Sequence, residues 1–156
     1  MPTINDINII GDTTIRLRSL IGSGVTDPLS SRPDGSFIMT SWPKRKITYP
    51  LITIRATLGT SEHLGMQSEG KLYPINVFID VWTKDVAQRD RLSGSVIEIL
   101  RLNQYGVNST GNTGSSTTLE RLYDFKLLNA VALDEPGIDG VHRMTIEAQY
   151  KYVTQA

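Results

Sequence analysis

Along three stretches of this chain apolar residues alternate with polar ones, and along two others they recur at a helical period. Tyr73, Ile75, Val77, Ile79 and Val81 alternate with Asn76, Phe78, Asp80 and Trp82, which is the pattern of a strand with one apolar and one mixed face. The mixed face suits a strand whose second side meets a partner or a rim. Near the C-terminal end, Tyr123, Phe125 and Leu127 share one side of a strand spanning Leu119 to Leu133. Met144, Ile146, Ala148, Tyr150 and Tyr152 share one side of another, spanning Val141 to Val153. Pro136-Gly137 and Asp139-Gly140 between them predict a hairpin. Leu51 to Thr57 is β-branched and bounded by Pro50 and Gly59, and Ser36 to Ser41 follows the turn sequence Arg32-Pro-Asp-Gly35. Both read as strands.

Val86, Leu92, Val96, Ile97, Ile99 and Leu100 form one stripe opposite Asp90, Arg91, Glu98 and Arg101, predicting a helix over Thr83 to Leu100. Thr83 suits its N-cap and Asp85 its first turn, while Arg89 falls inside the apolar stripe. Ile4, Ile7, Ile10, Leu17 and Ile21 predict an N-terminal helix from Thr3 to Ile21, kinked at Gly11-Asp12-Thr13-Thr14 and stopped by Gly22-Ser-Gly24. Gly59 to Gly70 reads as a polar loop. Asn103 to Thr118, dominated by Asn, Ser, Thr and Gly, reads as a loop that orders only when another chain holds it. The expectation is a single α+β domain over residues 1–156. It has a mostly antiparallel sheet of about four to five strands, a long helix packed on one face, an N-terminal helix and a flexible loop at 103–118.

Composition narrows the function more than the fold. Lys plus Arg and Asp plus Glu both number 16, so the overall balance favours neither a polyanion nor a membrane surface. There is no cysteine, which removes disulfides, thiolate catalysis and Cys-ligated metals together. Neither a signal peptide nor an apolar run near the roughly 20 residues of a membrane helix is visible, so the chain is expected to be made in the cytoplasm.

Candidate chemistry is sparse. His63 lies in a polar loop and His142 opens a strand, so a shared metal would need carboxylates from separate elements. Asp134, Glu135 and Asp139 form an acidic turn whose spacing fits no EF-hand loop. The glycine pairs lack the Lys-Ser/Thr of a phosphate loop. No catalytic residue, metal or cofactor is assigned, and the chain is not expected to be an enzyme. Lys44, Arg45 and Lys46, with Trp42 and Tyr49 nearby, form the one basic cluster with aromatics. They are the candidate DNA-facing or channel-facing loop. Phe78, Asp80, Trp82, Arg89 and Tyr105 are the candidate contacts with a subunit or partner.

Three pieces, Tyr49-Pro-Leu-Ile-Thr-Ile54, Val77-Phe-Ile-Asp-Val-Trp-Thr-Lys84 and Asp134-Glu-Pro-Gly-Ile-Asp-Gly-Val-His-Arg-Met144, stand within the order helix, loop, strands, helix, terminal strand pair. This arrangement resembles the tail terminator proteins of long-tailed phages and related viruses, also called tail completion or head–tail joining proteins. The resemblance spans about Ile4 to Val153 and departs from the family at the long insertion from Asn103 to Thr118. It implies a virion protein at the head–tail junction, assembled as a hexameric ring. Its partners would be itself, the tail tube protein and the head connector, with non-specific contact to genomic DNA in the channel. A head-side adaptor or stopper is the near alternative, and a small DNA-binding module using Lys44, Arg45 and Lys46 is the alternative from another class.

Overall fold

The computed structural model describes residues 7–29, 31–32, 36–41, 47–63, 70–102, 122–134 and 140–154. Helix α1 spans Ile9–Gly24 and strand β1 Ile38–Met39; β2 follows at Leu51–Leu58, β3 at Glu62–His63 and β4 at Lys71–Thr83. Helix α2 spans Val86–Leu102, and β5 (Leu122–Asp134) and β6 (His142–Val153) complete the chain. The sheet runs β1-β2-β4-β6-β5, and β3 pairs with the start of β4 alongside β2.

The α+β reading holds, with corrections of detail. The sheet has six strands and is mixed, because β1 pairs parallel with β2 through Ile38–Ile52 and Met39–Thr53. All other pairings are antiparallel. The expected Ser36 to Ser41 strand shrinks to two residues, and the Gly59 to Gly70 loop contains β3. Neither helix stands out as long: α1 has 16 residues and α2 has 17. The 103–118 loop lies outside the described residues.

β4 carries the core. Ile75, Val77, Ile79 and Val81 are each fully buried on the side facing the helices, alongside Ile52 and Ile54 of β2 and Ile146, Ala148, Tyr150 and Tyr152 of β6. Burying one such aliphatic side chain contributes roughly 1.5–3 kcal/mol, and β4 shares this apolar term with α1, β2 and β6. α1 lies over β1 and β2, α2 lies over β4 and β6, and the helices touch each other. Gly24 marks that contact, since a Cβ there would come within 2.5 Å of Ile99 Cδ1.

Helix α1 begins at Ile9, later than expected, and passes through Gly11 without stopping. Its buried positions Ile9, Thr13, Leu17, Leu20 and Ile21 keep the helical period across the predicted kink. Thr14 contributes by donating its hydroxyl to the Gly11 carbonyl at 2.8 Å, satisfying that polar group within the helix. At α2 the cap is Asp85, whose Oδ1 accepts from the Ala87 amide at 3.3 Å. Thr83 is still part of β4 and donates its hydroxyl to the Asp85 carbonyl. The α2 stripe buries Leu92, Val96 and Leu100, whereas Val86 at its start stays exposed.

β5 departs most from its sequence pattern. Its register against β6 shifts between Tyr123 and Lys126 and again between Leu127 and Asn129, so the expected common face of Tyr123, Phe125 and Leu127 is interrupted. Asp124, with φ of 54°, sits in the first irregularity, a left-handed conformation that Asp tolerates better than most residues. The Asp124 carboxylate is held below its ordinary pKa by the Lys151 ammonium at 3.1 Å and by Lys126.

Candidate functional site

Among the described residues no helix packs on one side of the sheet, and β4 runs through its middle. Cross-strand register fixes who meets whom there. Leu51, Trp82 and Arg143 form one row, and Thr53, Asp80, Thr145 and Val131 the next. Arg55, Phe78, Glu147 and Asn129 form the third row, followed by Thr57, Asn76, Gln149 and Lys126.

Several polar groups of this face pair with one another across the strands. Thr145 donates its hydroxyl to Asp80 Oδ1 at 2.7 Å, the Trp82 indole N–H donates to Thr53 Oγ1 at 3.2 Å, and Gln149 donates to Asn76 Oδ1 at 3.3 Å. Arg55 Nε stands 3.8 Å from Asp80 Oδ2 and its guanidinium lies 4.9 Å over the Phe78 ring. Arg143 lies 4.9 Å over the Trp82 ring. A shallow depression of about 360 Å³ opens here, lined by Thr40, Ser41, Thr53, Arg55, Asp80 and Arg143 among others. Two guanidiniums stacked on aromatic rings beside a buried carboxylate make a surface that is shaped, hydrogen-bonded and stiff. Such a surface suits docking.

One end of the face is closed. Leu51, Trp82 and Val141 form a second small core against which Met39, Ile47 and Tyr49 pack. Arg32 braces the neighbouring loops: its Nε is 3.2 Å from Asp27 Oδ2, its Nη1 donates to the Pro50 carbonyl, and its guanidinium lies 5.1 Å over Phe37. Burial pulls the Arg32 pKa down, with Asp27 opposing that.

The structure gathers three of the five expected contact residues. Phe78, Asp80 and Trp82 share the helix-free face, but only Phe78 is half-buried, while Asp80 and Trp82 are buried within their own subunit. Arg89 is placed elsewhere, on α2 in the other layer, where its Nε meets Asp90 Oδ1 at 3.0 Å. Its side chain is 11% exposed, which accounts for an arginine inside the stripe: the stem packs and the head pairs with its neighbour. Tyr105, like Lys44, Arg45 and Lys46, lies outside the described residues. Arg55, Arg143 and Thr145 were missed, although the alternation Arg143, Thr145, Glu147, Gln149 in β6 carried the signal.

His63 pairs with Lys71 at the start of β4 and His142 with Thr83 at its end. Twelve strand residues (83 − 71) separate them, roughly 40 Å, so the two imidazoles cannot share an ion. Among the described residues no three of His, Asp and Glu converge as metal ligands, and no helix is long and apolar enough to cross a membrane. The side chains of the acidic turn lie outside the described residues.

No protein-family model and no curated protein sequence matches this chain. Among solved structures, the fold is similar to a chain from the virion of a native gene transfer agent particle, at a TM-score of 0.50 and 14% identity. The superposition covers 92% of each chain, so the likeness is of the whole fold.

Proposed function

We propose that this is a structural virion protein that forms a ring at the head-proximal end of a tail, capping the tail tube and joining it to the head connector. In this reading the protein works by docking copies of itself and its neighbours, and it carries out no reaction. The observation that carries the reading is the whole-length fold likeness to a chain of a gene transfer agent virion. The finer assignment to the tail end rests on the sequence resemblance to tail terminators.

The surface is consistent with this role. Its helix-free face is rigid and internally hydrogen-bonded. Apolar side chains on β5 stay exposed in the isolated subunit. Interfaces of assembling proteins combine such apolar area with ordered polar contacts.

The test is assembly. Purified protein is mixed with a tail tube protein from the same source, and tube length is followed by electron microscopy. A terminator arrests tube growth and labels one end only. Tubes of unchanged length with no bound protein refute the reading, and label confined to the head vertex moves it to an adaptor.

A further inference from the structure

Ten large apolar residues are exposed among the described residues, and seven of them fall at the two opposite edges of the sheet. At one edge, Leu127, Leu128, Val131 and Leu133 of β5 are each 38–48% exposed. α2 packs on β4 and β6, and among the described residues of β5 only Leu122, at the opposite end of the strand from this strip, is fully buried. Along the outer side of β5 no strand pairs with it among the described residues. Leu127 to Leu133 carries no charge, proline or glycine, and spans about 23 Å. An edge of this kind invites pairing: the irregularity between Leu127 and Asn129 interrupts its start, and from Asn129 onward the strand is regular.

At the other edge, Ile7, Ile10 and Leu58 are exposed around a shallow groove where the first turn of α1 meets the end of β2. β1 pairs only with Ile52 and Thr53, so β2 from Arg55 to Leu58 also lacks a neighbour on its outer side among the described residues. The two edges point away from each other across three strand spacings, roughly 14 Å, and cannot cover one another within a subunit. The β5 strip and the lining of the groove (Ile7, Asn8, Ile9, Ile10 and Leu58) carry no charge, so neither repels the other. A charged occupant would strand its charges against either strip.

We propose that the β5 edge of one subunit seats on the Ile10–Leu58 edge of a second copy, joining copies head to tail. A contact between two different patches is heterologous and generates a ring when its rotation closes. This deepens the assembly reading above and rests on it only for the statement that the chain binds itself.

Two single substitutions and their mixture test the contact by analytical ultracentrifugation, with circular dichroism confirming the fold of each. Leu128→Lys blocks one edge and Leu58→Lys the other. The wild type is expected to form oligomers and each variant to be monomeric. An equimolar mixture should form dimers and nothing larger, because each variant retains the edge that its partner needs. Loss of association in Leu128→Lys but not in Leu58→Lys overturns the proposal in favour of a two-fold β5 contact. A wild type that stays monomeric at the highest attainable concentration also overturns it. So does slow amide exchange over 127–133 in a monomeric wild type, which would mean the chain covers its own strip. Absence of the protein from purified particles would refute the virion reading while leaving this contact standing.

Discussion

Tyr150 is fully buried beneath the helices, with its ring tilted against Phe125 at a centroid distance of 5.3 Å, and its hydroxyl has no hydrogen-bond partner among the described residues. Burial pushes the phenol pKa well above its ordinary value. Replacing Tyr150 with Phe keeps the ring and removes an oxygen that lost its water on folding. Leaving a buried polar group unsatisfied costs about 1–3 kcal/mol, so the variant should gain about 1 kcal/mol near neutral pH. For a chain of this size that raises Tm by about 2–4 °C.

The pH dependence follows from the raised folded pKa. Below the unfolded tyrosine pKa of about 10 both states hold the proton, and the wild type loses nothing. Above it the unfolded chain ionises while the folded chain does not, so wild-type stability falls by about 1.4 kcal/mol per pH unit. The other titrating groups cancel between wild type and variant. Urea unfolding of both proteins at about pH 8 and about pH 11, at a concentration where each is monomeric, should therefore show the Phe advantage widening by about 1.4 kcal/mol. An advantage unchanged with pH would mean that the phenol reaches water in the folded state. A loss on substitution at neutral pH would mean that the hydroxyl has a partner.

Other expected outcomes follow from single contacts. A Cβ at Gly59 would stand 2.6 Å from Pro74 Cγ and 3.3 Å from its carbonyl oxygen, so Gly59→Ala should cost about 1–3 kcal/mol by thermal unfolding. Asp80→Ala leaves the Thr145 hydroxyl without its acceptor, whereas adding Thr145→Val removes both. A double-mutant cycle should give a coupling of about 0.5–3 kcal/mol, and zero coupling would deny that bond any weight. Arg32→Met keeps the stem and loses the bonds to Asp27 and Pro50, so amide exchange should accelerate across 25–41 while the β4 amides stay protected. Glu98→Ala removes a fully exposed pair with Arg101 and should leave the unfolding midpoint unchanged.

Much of the fold was legible where burial enforces a period. Alternation in β4 and β6 located strands whose inward residues are fully buried except for the partly buried Tyr73 and Met144, and the α2 stripe located a helix whose inner positions are Leu92, Val96 and Leu100. Legibility failed where tertiary context overrode local preference. Gly11 stays helical because α1 buries residues on both sides of it, and β3 forms from two exposed residues only because β4 extends past β2 to receive them. The register shifts in β5 are invisible to a period-two reading, since an irregularity changes the face of every residue beyond it. In the candidate site, the mixed face of β4 was readable from Phe78, Asp80 and Trp82. Arg55 and Arg143 emerged only when pairing set three strands side by side.

The parallel pairing of β1 with β2 has a consequence for how such a molecule can vary. A parallel neighbour forces the chain to travel back between Met39 and Leu51, and Ile47 and Tyr49 of that return path settle on the Trp82 end of the helix-free face. Lengthening or shortening the crossover would change how much of that face stays bare without touching the residues packed under the helices. A lineage could thus refit the protein to a differently sized mate by editing one loop, while the buried core around β4 stayed the same.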